Sequence, residues 1–142
     1  MKYKFNDFLI DGIKAKILAK KYSTPLYCYS LKKIKENIKN FQKSFKSIDP
    51  LVCFAVKANP NKIILRQMGK LGLGADVVSI GELIRALKAG IKPNKIVFSG
   101  VGKTSHELIH AIKKNILLIN TESKSEILEI ERIAKTKKRK LM

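Results

Sequence analysis

Four short stretches of this sequence have residue types and spacings that could do chemistry, and each points to a different kind of site. The first is Leu51-Val-Cys-Phe-Ala-Val-Lys57. Side chains alternate faces along a strand, so Val52, Phe54 and Val56 form a bulky apolar face, while Cys53, Ala55 and Lys57 form a small one that ends on an amine. Desolvation at such a position disfavours the ammonium and lowers the lysine pKa. A neutral lysine amine is the nucleophile of Schiff-base chemistry. On position alone the plainer reading, a lysine that ends its strand and reaches water, stands ahead.

The second stretch, His106-Glu-Leu-Ile-His110, is a formal H-E-x-x-H zinc-protease match. At about 100° per residue on a helix, Leu108, Ile109, Ala111 and Ile112 share one side, while His106 and His110 fall on the other with Lys113. Zinc ligands of that kind face the interior, and Glu107 already serves as a capping partner of Thr104. The match is read as accidental, with both histidines expected in solvent and no metal site. The third stretch, Ser99-Gly-Val-Gly-Lys-Thr104, fails as a phosphate loop because Val97 stands where a glycine is required. The fourth, Gly72-Leu-Gly74, fails as G-x-G-x-x-G because Val77 takes the third place. Cys28 and Cys53 give neither a disulfide framework nor a metal spacing.

These groups must be positioned by an alternation of short apolar runs and helical patterns. Strands are expected at 25–30, 51–57, 75–79, 95–99 and 116–120, the last four starting roughly 20 to 24 residues apart. Helices are expected over 31–46, 61–71, 80–89, 105–114 and 123–134. Ser79 with Glu82, Thr104 with Glu107, and Ser123 with Glu126 fit the capping box, and Gly72 and Gly90 sit where a helix needs a left-handed residue after its end. Repeated strand–helix units imply a parallel sheet with helical cover. The open doubly wound sheet is the competitor, but the even spacing and the missing nucleotide fingerprint favour an α/β (β/α)8 barrel. A whole barrel takes roughly 250 residues. The 142 residues here hold four regular units, about half of one.

Composition narrows the function classes. Of 30 lysines and arginines only four are arginine (Arg66, Arg85, Arg132, Arg139), and the formal net charge is +19. Nucleic-acid recognition favours arginine, whose planar fork binds phosphate and guanine in two places. The lysines are instead spread over every expected helix. Lys32, Lys35, Lys39, Lys43 and Lys46 lie opposite Leu31, Ile34, Ile38, Phe41 and Phe45, a solvated helix face. No specific nucleic-acid partner is expected, and a small polyanion-binding protein is the rival from another class. Residues 135–142 have no apolar partner and are expected to be a frayed basic tail. No apolar stretch approaches a membrane span or a secretion signal, so a cytoplasmic chain is expected.

Taken together, Phe54-Ala-Val-Lys-Ala-Asn-Pro60, Gly72-Leu-Gly-Ala-Asp-Val-Val-Ser79 with Gly81-Glu82-Leu83, and Ile96-Val-Phe-Ser-Gly-Val-Gly-Lys-Thr104 resemble the diaminopimelate decarboxylases. These are fold-type III pyridoxal-phosphate enzymes, grouped with alanine racemase and ornithine decarboxylase. The resemblance runs from Asp11-Gly12 to about Glu131. It implies an alanine-racemase-type barrel and pyridoxal 5'-phosphate as cofactor, held covalently by Lys57, with Asp76 an acidic residue near it. It implies decarboxylation of meso-2,6-diaminopimelate to L-lysine by a homodimer acting on a small amino-acid substrate. Another decarboxylase of the superfamily, acting on a basic amino acid, is the closest alternative. The resemblance also implies that 1–142 is the amino-terminal part of the cofactor-binding barrel. The phosphate site, the substrate-binding residues and a carboxy-terminal β domain would then lie outside these residues, leaving the isolated chain a poor enzyme.

Overall fold

The computed structural model describes residues 2–4, 6–45 and 47–136. They form two compact units, Met1–Asp49 and Pro50–Met142.

The first unit opens on an antiparallel meander that the sequence reading does not anticipate: β1 (Lys2–Lys4), β2 (Asp7–Ile10) and β3 (Ile13–Lys14). Ile10 pairs with Ile13, so the turn between them is only Asp11-Gly12. Both residues have positive φ, 49° and 91°. A two-residue hairpin turn of type I′ needs that conformation at both positions, and Asp-Gly adopts it readily. Helices α1 (Ala15–Tyr22) and α2 (Leu31–Lys43) follow. The Asp11 carboxylate accepts from the Ser30 hydroxyl and from Lys32 N at 3.2 Å. Ser30 in turn caps α2 by accepting from Lys33 N at 2.9 Å. The turn of the meander thereby fixes the start of the helix. The serine hydroxyl, then the Lys32 amide, holds the Asp11 carboxyl below its usual range.

Two expectations are corrected in this unit. Residues 25–30 form no strand; Pro25 has no N–H, and among the described residues the segment pairs with none. The expected apolar face of α2 is only partly covered. Leu31, Ile34 and Ile38 are half-buried, while Phe41 and Phe45 are exposed and pack mainly on each other, their rings 5.0 Å apart.

The second unit carries the parallel sheet. Its elements alternate: β4 (Cys53–Ala55), α3 (Lys62–Lys70), β5 (Gly74–Val77), α4 (Ile80–Lys88), β6 (Ile96–Phe98), α5 (Ser105–Lys114), β7 (Leu118–Ile119) and α6 (Lys124–Thr136). The strands lie side by side in chain order, all parallel. This is the progression of a (β/α)8 barrel, with four consecutive units present. The core between sheet and helices holds Val56, Leu65, Val77, Leu83, Ile96 and Phe98, all fully buried. A smaller cluster of Leu108, Ile112 and Ile133 joins α5 to α6.

The strands begin within two residues of the expected starts, at Cys53, Gly74, Ile96 and Leu118, and all are shorter. The largest change is at β4: the ladder stops at Ala55, and Val56–Ala58 turn into one 3₁₀ turn closed by Asn59 N to Val56 O at 3.0 Å. Lys57 therefore stands in the turn that follows the strand, not at the strand's end. At the other end of the unit, Lys135 and Thr136 complete the last turn of α6 rather than a tail; the remainder of the expected tail, 137–142, lies outside the described residues.

Gly74 opens β5 where no side chain fits. A Cβ there would overlap the Lys95 carbonyl oxygen and come within 2.8 Å of Cys53 Sγ. At the far edge, β7 pairs with β6 and, among the described residues, with no other strand. Leu118 of this strand and Leu117 before it are half-exposed. An open parallel edge with apolar flanks templates pairing with another chain. The isolated chain is expected to self-associate and to bind apolar dyes. Because the +19 charge opposes association, this should strengthen as salt screens it. Sedimentation across a salt series checks this; a monomer at every ionic strength would contradict it.

Candidate functional site at the carboxy-terminal strand ends

The carboxy-terminal ends of β4 to β7 carry Lys57, Asp76, Ser99, Lys103 and Asn120 on or just after the strands. Lys57 lies in the turn after β4 with its side chain exposed, so the burial expected from a strand-end position is not present. Among the described residues its amine makes no hydrogen bond or ion pair. Asp76 lies on β5, opposite Ala55 in the register and half-buried. Its Oδ1 accepts from the Ser99 hydroxyl at 2.6 Å. Ser99 Oγ accepts in turn from Asn120 Nδ2 at 2.9 Å. A row of three side chains therefore crosses the ends of β5, β6 and β7. It is built by the ladder itself, because Ser99 N reaches Val77 O at 2.8 Å and Asn120 N reaches Phe98 O at 2.9 Å.

Next to this row sits a second lysine of opposite character. The Lys103 side chain is 2% exposed. Its Nζ donates to Gly100 O at 2.6 Å, Asn120 O at 2.7 Å and Glu126 Oε1 at 2.9 Å. An ammonium has three hydrogens, and all three are used. Its ring contact with Phe98, at 5.9 Å, adds to its fixation. Glu126 is fully engaged as well, Oε2 accepting from Glu122 N at 2.8 Å.

The three helix starts carry the expected caps with one refinement. Thr104 and Glu107 form the complete capping box: Glu107 N donates to Thr104 Oγ1, and Thr104 N donates to Glu107 Oε2 at 3.0 Å. Glu82 and Glu126 instead reach one residue further back, to Val78 N at 2.9 Å and Glu122 N at 2.8 Å. Glu107 has a further role, its Oε1 accepting from Ile80 N at 3.0 Å, the first helical residue of α4. The backbone donors, Thr104 first, hold its carboxyl below the usual range.

Of the H-E-x-x-H residues, His106 is exposed, but His110 is not the solvent-facing side chain expected. It is half-buried, and its Nε2 is buried without a hydrogen-bond partner. Among the described residues no group of three or more His, Cys, Asp or Glu side chains is placed to hold a metal ion. Burial, then the nearby Lys114, lowers the His110 pKa. The folded chain thus prefers the neutral ring more than the unfolded chain does. The stability this contributes is present above the ordinary histidine value of 6.5 and is lost as pH falls through and below it. Urea midpoints at about pH 7.5 and about pH 5.5 should separate more for the parent chain than for His110→Phe. Equal separations would place the acid sensitivity elsewhere.

Sequence reasoning singles out Lys57, and the family resemblance Asp76, but neither marks Ser99, Asn120 or the Lys103–Glu126 pair as members of one network with Asp76. The signal for Lys103 was its position as the lone charge inside a glycine-containing strand-to-helix loop. Glu126 was recognised only as a cap.

The sequence profile described as "Pyridoxal-dependent decarboxylase, pyridoxal binding domain" matches residues 31–142. The diaminopimelate decarboxylase of Helicobacter pylori (strain J99) is 54% identical over 115 residues, which cover 81% of this chain and 28% of the relative. That of Aquifex aeolicus is 46% identical over 134 residues, 94% of this chain and 31% of the relative. Among solved structures, a protein of Aquifex aeolicus superposes with a TM-score of 0.93 at 45% identity, covering 98% of this chain and 34% of its own. The diaminopimelate decarboxylase of M. jannaschii, in co-complex with L-lysine, superposes with a TM-score of 0.93 at 41% identity, covering 96% and 33%. The chain thus spans about a third of the length of the proteins it matches. Its four parallel units are a portion of their (β/α)8 barrel. With the profile matching from the start of α2 onward, this chain belongs to the pyridoxal-dependent decarboxylases.

Proposed function

We propose that this chain is the amino-terminal part of the barrel of a diaminopimelate decarboxylase, and that Lys57 is the lysine that holds pyridoxal 5'-phosphate. The observation that carries the assignment is the contrast between two lysines of the same rim. Lys103 has every hydrogen committed, whereas the Lys57 amine is exposed and, among the described residues, unengaged. An aldehyde cofactor requires the second kind. Asp76, which the strand register sets opposite Ala55, supplies a carboxylate beside the lysine's turn.

The reaction proposed is loss of carbon dioxide from meso-2,6-diaminopimelate to give L-lysine, in a homodimer of the complete enzyme, in the cytoplasm. When bound, the cofactor supplies an electron sink for the carbanion left by decarboxylation. Lys57 would hold the cofactor, since its primary amine, once deprotonated, is the nucleophile that an aldehyde group requires. The turn at Val56–Ala58 presents that amine outside the sheet while Val56, fully buried, anchors the turn in the core. The isolated chain is expected to yield no lysine from diaminopimelate, because the remaining two thirds of the family's length is not among these residues.

Borohydride reduction of the chain incubated with a large excess of pyridoxal phosphate, followed by peptide mapping, tests the assignment. The label is expected on Lys57 and is expected to vanish in Lys57→Ala. It should vanish equally in Lys57→Arg, because a guanidinium stays protonated and cannot attack a carbonyl. A label that maps to Lys103 or to the helix lysines instead overturns it.

A further inference from the structure

The row Asp76–Ser99–Asn120 is more tightly determined than a strand-end carboxylate needs for its own solvation. We propose that Ser99, held by Asn120 and Lys103, is a positioning residue that fixes the Asp76 carboxylate for cofactor capture at Lys57; the inference rests on the reading of Lys57 given above.

The geometry makes the serine hydroxyl directional. A hydroxyl has one hydrogen and two lone pairs. Asn120 Nδ2 donates to Ser99 Oγ at 2.9 Å, so one lone pair is taken. The single hydrogen is donated to Asp76 Oδ1 at 2.6 Å, a short bond of the charge-assisted kind. Asn120 has no hydrogen on its carbonyl side to compete for that place.

Both ends of the row are then held from behind. Lys103 Nζ grips Gly100 O, the carbonyl next along the chain from Ser99, and Asn120 O, the carbonyl of the very residue that orients the serine. Glu126, from the start of α6, holds Lys103. Two successive βα units therefore act on the carboxylate of the unit before them. The row leads to Asp76, which pairs with Ala55, the last residue of the β4 ladder; Lys57 follows two residues later along the chain, in the 3₁₀ turn.

The test uses the whole chain and two readouts: the fraction of Lys57 labelled after reduction with pyridoxal phosphate, and backbone amide exchange at 96–99 and 118–120 without cofactor. Ser99→Ala is expected to lower the labelled fraction about tenfold at subsaturating cofactor, with exchange unchanged. Ser99→Thr, which keeps the hydroxyl, should restore it. Asp76→Asn should cost as much as Ser99→Ala, and the double variant no more than either, because both act through one carboxylate. Equal labelling of Ser99→Ala and parent overturns the proposal. So does a loss that tracks faster exchange and is not rescued by threonine, since that is a folding effect. A parent chain that labels elsewhere, or not at all, overturns the reading of Lys57 and the proposal with it. That result is told apart from the first, in which Lys57 labels and Ser99 does not matter.

Discussion

Lys103→Met is expected to lower the stability of the second unit by about 3–5 kcal/mol. The side chain is 2% exposed and its partner Glu126 8% exposed. Removing the amine leaves a carboxylate and two backbone carbonyls, of Gly100 and Asn120, without their donor. Breaking one half of a buried pair costs far more than the pair itself is worth, because the surviving charge stays desolvated. The double variant Lys103→Met/Glu126→Gln should recover part of the loss: glutamine keeps an acceptor for Glu122 N but carries no charge. Urea midpoints at low salt, where the charge keeps the chain dispersed, provide the measurement. A loss under about 1 kcal/mol, the range of exposed ion pairs, would mean that water reaches Nζ.

Gly74→Ala is the second large effect, expected at about 3 kcal/mol. The added methyl group would overlap the Lys95 carbonyl and crowd the Cys53 sulfur. Backbone and a neighbouring strand cannot yield as a flexible side chain does. Gly72→Ala, two residues earlier, provides the control. Gly72 has φ of 83° and open space around it, so alanine there should cost only about 1 kcal/mol, through the backbone conformation alone. If the two substitutions cost the same, close packing at the start of β5 is not what selects glycine.

The parts legible in the sequence are those set by interactions three or four residues long. Ser79, Thr104 and Ser123 all cap their helices because a cap needs only its own first turn. Gly72 and Gly90 take positive φ for the same local reason. The order of the parallel strands followed from their spacing. What stayed hidden is long-range or depends on how a ladder ends. The alternation of Val52, Phe54 and Val56 continues unbroken into the 3₁₀ turn, so nothing in the pattern marks Ala55 as the last paired residue. Ser99 finds Asp76 across 23 positions and Asn120 across 21. His110 looked solvent-facing from its own helix, and only the packed structure buries its Nε2. Asp11-Gly12 is a hairpin-turn dipeptide, but the two-residue strand after it gives almost no alternation by which to recognise the meander.

The reach of Glu107 to Ile80 and of Glu126 to Lys103 has a bearing on synthesis at the ribosome. In each case a carboxylate from one βα unit completes the unit that emerged before it. Chains fold from the amino terminus as they are made. The start of α4 keeps an unmet amide until α5 has formed, and Lys103 keeps an unmet charge until α6 has. These two units are thus provisional for about the time taken to translate the next twenty or so residues. A pause or a halt between units leaves the most recent loop, rather than the oldest core, as the part that is still open to water, proteases and chaperones.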